Sequence, residues 1–328
     1  MSNTKKLILQ TRNLGKQFTE ADGRLLNACQ NINLNVYQGK TLAIVGESGC
    51  GKSTLVKIIM GMTKPSSGNI FFHGEDLTKF NKKQRRESYQ KMQMVFQDPY
   101  GTFHPKMQVI DILTEPLRNY KRLKRKDREE KAKELLRMVE LPEDALYCYP
   151  RNMSGGQRQR IGIARALSLE PELLLCDEAT SALDVSIQKT ILSLLVKMQK
   201  ERNLSMVFIC HDLALVAAIA HEVAVMYVGH VVELLPGEKV AKEALHPYTK
   251  ALVDSVFSVS KPDGHEITEL KGEVPSPLEL PAGCPFASRC TECMERCLVE
   301  KPKMREVESG HWVACFREME GRDKNFTI

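Results

Sequence analysis

Gly46-Glu47-Ser48-Gly49-Cys50-Gly51-Lys52-Ser53-Thr54 is the stretch whose reading decides the fold. An apolar run, Thr41-Leu42-Ala43-Ile44-Val45, precedes it and reads as a buried strand. An amphipathic run from Leu55 to Met60 follows and reads as a helix. The spacing G-x-x-x-x-G-K-[ST] between a strand and a helix is the setting of a phosphate-binding loop. Glycines let backbone N–H groups close around phosphate oxygens, and the helix N-terminus adds partial positive charge. Gly46, Ser48, Gly49, Cys50, Gly51 and Thr54 would form that cradle. Lys52 would reach the β- and γ-phosphates of a nucleotide, and Ser53, beside it, is placed to ligate Mg²⁺.

Working outward, composition narrows the class. The 328 residues make one large or two modest domains, and 42% hydrophobic residues suffice for a packed core. No apolar run approaches the roughly 18 residues of a membrane span. Lys5 and Lys6 precede only a short apolar run, so no signal peptide is read and a cytoplasmic protein is expected. Much of the net charge of +6 could come from residues 121–137, with nine basic and four acidic residues. Asp127–Lys131, Glu129–Lys133 and Glu134–Arg137 fall at helical spacing there, predicting a solvated helix face. Only Tyr120, at its edge, offers an aromatic ring, so a nucleic-acid surface is not the reading. Of the ten cysteines, Cys284, Cys290, Cys293, Cys297 and Cys315 fall in the last 45 residues. In a reducing compartment such clustering points to metal before disulfides.

Along the chain, residues 6–36 alternate as strands joined by a turn at Asp22-Gly23. Phe18 lies where a ring could stack on a base. Residues 69–74 read as a short strand and turn, and 92–98 as a strand ending in polar groups. Residues 110–141 read as mainly helical with a break at Pro116. Met153-Ser154-Gly155-Gly156-Gln157 precedes a helix over 161–168. Leu173-Leu174-Leu175-Cys176-Asp177-Glu178 is a buried strand with two carboxylates at its end. An amphipathic helix through Ile191, Leu194, Leu195 and Met198 follows. Residues 206–210 form another buried strand, ending in His211-Asp212, and 223–233 a hairpin. Residues 261–283, rich in Pro and Gly, read as an extended linker. Asp177 and Glu178 suit phosphoryl transfer: one carboxylate holds Mg²⁺ through water while the other orients or deprotonates the attacking water.

In this order the motifs resemble an ABC-type ATPase. Gly46 to Thr54 matches a Walker A motif and Leu173 to Glu178 a Walker B motif with a catalytic Glu. Ser154-Gly155-Gly156-Gln157 resembles the ABC signature, with Met153 where Leu is commonest. Gln97 resembles the Q-loop glutamine, Ser181 to Asp184 the D-loop, and His211 the switch histidine. The resemblance implies an α/β fold with a RecA-like core, an antiparallel β lobe, a helical lobe over about 98–165, and a small Cys-rich C-terminal extension. The ATPase domain would span 1–235 and the extension 236–328. The family implies a head-to-tail dimer with two ATP in the interface. Lys52, Asp177, Glu178, Gln97 (also toward Mg²⁺), His211 and Phe18 of one chain would work with Ser154, Gly156 and Gln157 of its partner.

His246-Pro247-Tyr248-Thr249, Cys284-Pro285-Phe286 and Arg289-Cys290 narrow the resemblance to ATP-binding subunits of oligopeptide and dipeptide importers. That implies a peripheral protein on the cytoplasmic face of the cell membrane. Its partners would be a second ABC subunit (itself or a paralogue), two membrane-spanning permease subunits and an extracytoplasmic solute-binding protein, with no nucleic acid. Nickel and other small-solute importers share the branch, and a soluble ABC ATPase of translation or DNA repair is the rival from another class. The cysteines are spaced C-x5-C-x6-C-x17-C over Cys284, Cys290, Cys297 and Cys315, with Cys293 extra. Four thiolates suit zinc or a [4Fe–4S] cluster, and free thiols stay open. The Cys290/Cys293 pair favours zinc; the branch implies iron–sulfur on Cys284, Cys290, Cys297 and Cys315.

Overall fold

The computed structural model describes residues 6–98, 100–180, 183–210, 213–257 and 272–320. Its strands, in chain order, are β1 (Leu7–Thr19), β2 (Leu25–Tyr37), β3 (Thr41–Val45), β4 (Ser67–Phe72), β5 (Glu75–Asp76), β6 (Met92–Val95), β7 (Leu173–Asp177), β8 (Ser205–Ile209), β9 (Glu222–Tyr227), β10 (His230–Pro236), β11 (Arg305–Glu308) and β12 (His311–Val313). The chain divides into two compact units. One comprises Met1–Ile8, Val36–Lys40 and His73–Ile209; the other comprises Leu9–Asn35, Thr41–Phe72 and Cys210–Ile328. Among the described residues no helix is long and apolar enough to cross a membrane.

The second unit carries the phosphate-binding stretch. β1 and β2 join at the expected turn, where Asp22 Oδ1 accepts the Arg24 N–H at 3.0 Å and Gly23 takes φ 84°. β1 pairs antiparallel with β4. β3 is buried at every position, as a run without alternation requires, and pairs in parallel with β9. β9 turns back into β10 through Val228 and Gly229, both at positive φ (40° and 77°), the backbone that a two-residue hairpin turn demands. β10 then takes β12, and β12 takes β11. The late segment therefore adds two strands to the sheet that begins with β3. Neither strand is legible in the amino-acid sequence, where the β11 stretch Arg-Glu-Val-Glu is short and mostly charged.

In the first unit β6, β7 and β8 run parallel, with Met92 opposite Leu173 and Leu173 opposite Ser205. The helices Val109–Asn119, Arg128–Met138 and Gly155–Leu167 pack on one another. Two sequence expectations need correction here. Pro116 lies inside Val109–Asn119 and does not end it. One lost helix hydrogen bond is outweighed by burial of Val109, Ile112, Leu113 and Leu117 on one face, and the helix stops only before Lys121 at φ 55°. On the charged helix only Glu129–Lys133 pairs as expected, at 3.0 Å. Lys131 goes to Glu134, and Arg137 reaches Glu130 and Glu143. Exposed pairs choose among near neighbours at little cost.

One polar cluster is sealed inside the second unit. Glu233 on β10 is fully buried, and its carboxylate accepts the N–H groups of Leu245 (2.8 Å) and His246 (3.1 Å) and meets His311 Nε2 at 2.8 Å. A buried charge is tolerated when it is paired and hydrogen-bonded in this way. His246 Nδ1 accepts the Tyr248 N–H at 3.1 Å, which needs the ring unprotonated there. Burial holds the His246 pKa down to about 4, and burial with Lys301 nearby does the same for His230. Both imidazoles titrate near 6.5 when unfolded, so their stability contribution is intact above that pH and lost as pH falls toward 4. Each should remove on the order of 2 kcal/mol between pH 7 and pH 5. Urea unfolding at the two pH values checks this, and His246→Gln should show a smaller drop than the parent.

Candidate nucleotide site and cysteine cavity

β3 delivers the chain into the loop and the helix Lys52–Ile59 leaves it. Gly46, Gly49 and Gly51 take φ 148°, 79° and 104°. A Cβ on Gly46 would overlap the Met226 carbonyl, and one on Gly51 the Ala28 carbonyl. The loop thus lies backbone against backbone, which only glycine permits. Lys52 is 4% exposed; its Nζ donates to the carbonyls of Gly46 (2.7 Å) and Glu47 (2.8 Å) and lies 3.6 Å from Cys50 Sγ. Phosphate oxygens are stronger acceptors than these neutral groups. Ser48 and Gly49 are exposed, and Ser53 and Thr54 half-buried. Cys50 is buried and its thiol pKa raised by desolvation against the opposing pull of Lys52; Cys29, 3.7 Å from the Gly51 carbonyl, is pushed up to about 12. Both pack as apolar groups. Phe18 is 37% exposed, with Lys16 Nζ 4.6 Å above its ring.

Two residues that sequence reasoning did not attach to the loop hold Glu47. The Tyr248 hydroxyl accepts the Glu47 N–H at 2.8 Å, and Arg289 grips the Glu47 carboxylate through Nη1 (2.7 Å) and Nη2 (3.1 Å). That pairing raises the guanidinium pKa. Their only signal in the sequence was membership in the late motifs Tyr248-Thr249 and Arg289-Cys290.

In the first unit, Asp177 ends β7 and is 4% exposed. Glu178 follows at φ 49°, a left-handed backbone costly for a residue with a Cβ. The β6–β7 register sets Val95 opposite Cys176, so the chain ends beyond them are neighbours. There Gln97 Nε2 donates to Glu178 Oε2 at 2.6 Å. Sequence reasoning missed Gln159. It is 1% exposed, and its Nε2 donates to the carbonyls of Phe96 (3.2 Å) and Ala179 (2.7 Å), one residue before Gln97 and one after Glu178. It lies on the helix capped by Ser154, whose hydroxyl accepts the Gln157 N–H at 3.2 Å while Gln157 Oε1 accepts the Ser154 N–H at 2.9 Å. Ser154 and Gly155 are exposed, Gly156 is half-buried, and Met153 is buried as an apolar residue before the cap should be. His211, Ser181 and Ala182 lie outside the described residues.

Cys284, Cys290, Cys297 and Cys315 line one cavity with His246, Phe286 and Phe316; Cys293 does not line it and is exposed. Burial pushes the Cys284 and Cys290 thiols up to about 11 and raises that of Cys315, and neighbouring thiols of the set add to each shift. Thiolates there would need a cation beside them. Among the described residues, however, no three His, Cys, Asp or Glu side chains form a group that could hold a metal ion. The four thiols of the expected metal centre nonetheless share one cavity.

Residues 29–181 match the ABC transporter family, and residues 232–297 match the oligopeptide/dipeptide transporter C-terminal region. The oligopeptide transport ATP-binding protein OppF of Haemophilus influenzae is 41% identical over 329 residues, covering 97% of this chain and 99% of its own. The chain belongs to the ABC transporter ATP-binding proteins. It is an ATP-hydrolysing enzyme of α/β P-loop architecture, in the oligopeptide/dipeptide branch. The dipeptide transport ATP-binding protein DppF of Escherichia coli is also 41% identical, over 94% of each chain. A dimeric ATP-binding cassette solved in a post-hydrolysis state with ADP and Pi is 28% identical, with a TM-score of 0.66 over 70% of this ABC protein and 98% of the cassette. The likeness thus takes in nearly all of the cassette and leaves part of this longer chain unmatched.

Gln159→Leu should expose the value of the Gln159 bridge. The buried Ala179 carbonyl and the half-buried Phe96 carbonyl lose their donor, offset in part by removal of the buried, unpartnered Gln159 Oε1, for a net cost of about 1 kcal/mol by urea unfolding. ATP turnover should fall while nucleotide Kd stays unchanged, because Gln159 holds Gln97 and Glu178 and not the phosphate loop.

Proposed function

We propose that this ABC ATPase powers import of di- and oligopeptides, as one of two cassettes seated on two membrane-spanning permease subunits and fed by an extracytoplasmic solute-binding protein. Its place would be the cytoplasmic face of the cell membrane. The ATPase domain would span 1–235 and the extension 236–328. The observation that carries the reading is the Gln97–Glu178 hydrogen bond at 2.6 Å, beside the buried Asp177. It supports a water-activating carboxylate, Glu178, held in place by Gln97. The similarity along nearly the whole chain to oligopeptide and dipeptide transport ATP-binding proteins supports peptides over nickel or another small solute.

In this reading Lys52 leaves the Gly46 and Glu47 carbonyls for the β- and γ-phosphates. Glu178 orients the attacking water and takes its proton, and Gln97 and His211 position that water against the γ-phosphate. Asp177, Ser53 and Gln97 would hold Mg²⁺, which neutralises phosphate charge when bound. Ser154, Gly156 and Gln157 would close over the γ-phosphate bound by the partner cassette, and Phe18 would stack on adenine. The charge that develops on the phosphoryl group is met by preorganised donors.

For the extension we favour a [4Fe–4S] cluster on Cys284, Cys290, Cys297 and Cys315. The shared cavity supports it, and so does the exclusion of Cys293 from that cavity. One zinc ion needs its thiolates drawn to a single point, whereas a cluster spreads its ligands over four irons. Either group would supply folding free energy to a Pro-rich segment with little core of its own.

Glu178→Gln should keep ATP binding and lose most hydrolysis, roughly 100-fold or more in kcat, whereas Lys52→Ala should weaken binding itself. Turnover and nucleotide affinity measured on both variants separate the roles; near-normal turnover in Glu178→Gln would remove Glu178 as base. Protein purified without oxygen should carry about four irons and four sulfides. Cys290→Ser and Cys297→Ser should lose them and Cys293→Ser retain them. One zinc per chain, lost with Cys293→Ser, would instead establish a zinc module.

A further inference from the structure

The phosphate-binding loop carries one carboxylate of its own, Glu47, between Gly46 and Ser48. A fixed negative charge inside a triphosphate cradle opposes its ligand. Each group of Glu47 is engaged. Its N–H donates to Tyr248, its carbonyl accepts from Lys52, and its carboxylate is held by both terminal nitrogens of Arg289. The Arg289 side chain is 4% exposed and that of Glu47 26%. A two-pronged pair of this kind, largely withdrawn from water, fixes orientation as well as charge.

The guanidinium is itself held in place. Arg289 ends the short helical turn Ala287–Arg289. Its Nη1 lies 3.4 Å from the Tyr227 hydroxyl, and the guanidinium 5.9 Å from that ring. Phe286, three residues earlier, packs on Tyr227 (5.2 Å) and Tyr248 (5.4 Å), and these two rings lie 4.6 Å apart. An aromatic cluster thus carries one hand on the Glu47 N–H, through Tyr248, and sets the angle of the other on its carboxylate.

We propose that Arg289 is a positioning residue for nucleotide binding: by ion-pairing Glu47 it cancels the one negative charge in the phosphate-binding loop and holds the loop in its binding shape. Nothing in this role touches the reacting atoms, so it acts on affinity and not on the chemical step. The inference rests on the reading of this loop as the ATP site.

The test uses the full-length protein, with MgATP as probe. Kd, KM and kcat are measured together with thermal melting for the parent, R289A, R289K, E47Q and R289A/E47Q. R289A should weaken MgATP binding about tenfold or more, since it strands a carboxylate beside the phosphates, and leave kcat at saturation within about twofold. R289K, which keeps the charge and loses the fork, should recover part of the loss. R289A/E47Q should bind more tightly than R289A, because the repelling charge is gone. If R289A fails to fold, R289K must still show a raised KM at unchanged kcat. Parent-like affinity in R289A, a defect in kcat and not KM, or equal defects in R289A and R289A/E47Q would overturn the proposal and leave a structural staple. A parent protein that binds no MgATP would instead sink the functional reading beneath it.

Discussion

A lysine ammonium folded back among backbone carbonyls is the constraint on which the second unit is built. Lys52 is nearly inaccessible, and its Nζ is satisfied by the carbonyls of Gly46 and Glu47. A buried cation needs such acceptors, because an unpaired one is expensive. The loop can offer them only by curling tightly, and the curl requires positive φ at Gly46, Gly49 and Gly51. It also requires that the Met226 and Ala28 backbones come close enough to exclude any side chain. β3 and β9 are locked in register to bring Met226 there, and the tight turn at Val228-Gly229 follows from it.

The same unit shows why the late segment belongs to the cassette in physical terms. A short chain rich in proline and glycine buries too little surface to stand alone. It is instead added to β10 through β12, sealed by Glu233 with His311 and His246, and tied to the phosphate loop by Tyr248 and Arg289. His246 and Phe286 line the cavity of the four thiols, and Phe286 also packs on the two tyrosines beside Glu47. One continuous set of contacts therefore runs from the cysteine cavity to the loop.

In the first unit the same economy is achieved by register. β6 and β7, parallel strands without an exposed residue, end side by side, and their polar continuations meet as Gln97 and Glu178. Glu178 keeps a strained backbone at φ 49°. Gln159 ties the chain after Glu178 to the chain before Gln97 by bonding the Ala179 and Phe96 carbonyls. Strain of this kind persists only where neighbours over-determine it.

Much of this was legible in the amino-acid sequence, for local reasons. Glycine spacing before Lys52, an apolar run ending in Asp177-Glu178, and a serine cap before two glycines each state their geometry within a few residues, because backbone freedom, burial and capping are short-range. Cysteine spacing alone left Cys293 open beside Cys284, Cys290, Cys297 and Cys315; the family resemblance chose the four, and the fold lines one cavity with them. The sequence could not state where the helix around Pro116 ends, since packing of its apolar face overrides a local breaker. Nor could it say which partners the exposed charges of 121–137 would choose. Above all it could not pair Arg289 with Glu47, 242 residues away, or give Gln159 its two carbonyls. Such contacts join groups with no shared periodicity; only the folded chain, by burying both ends in one place, makes each need the other.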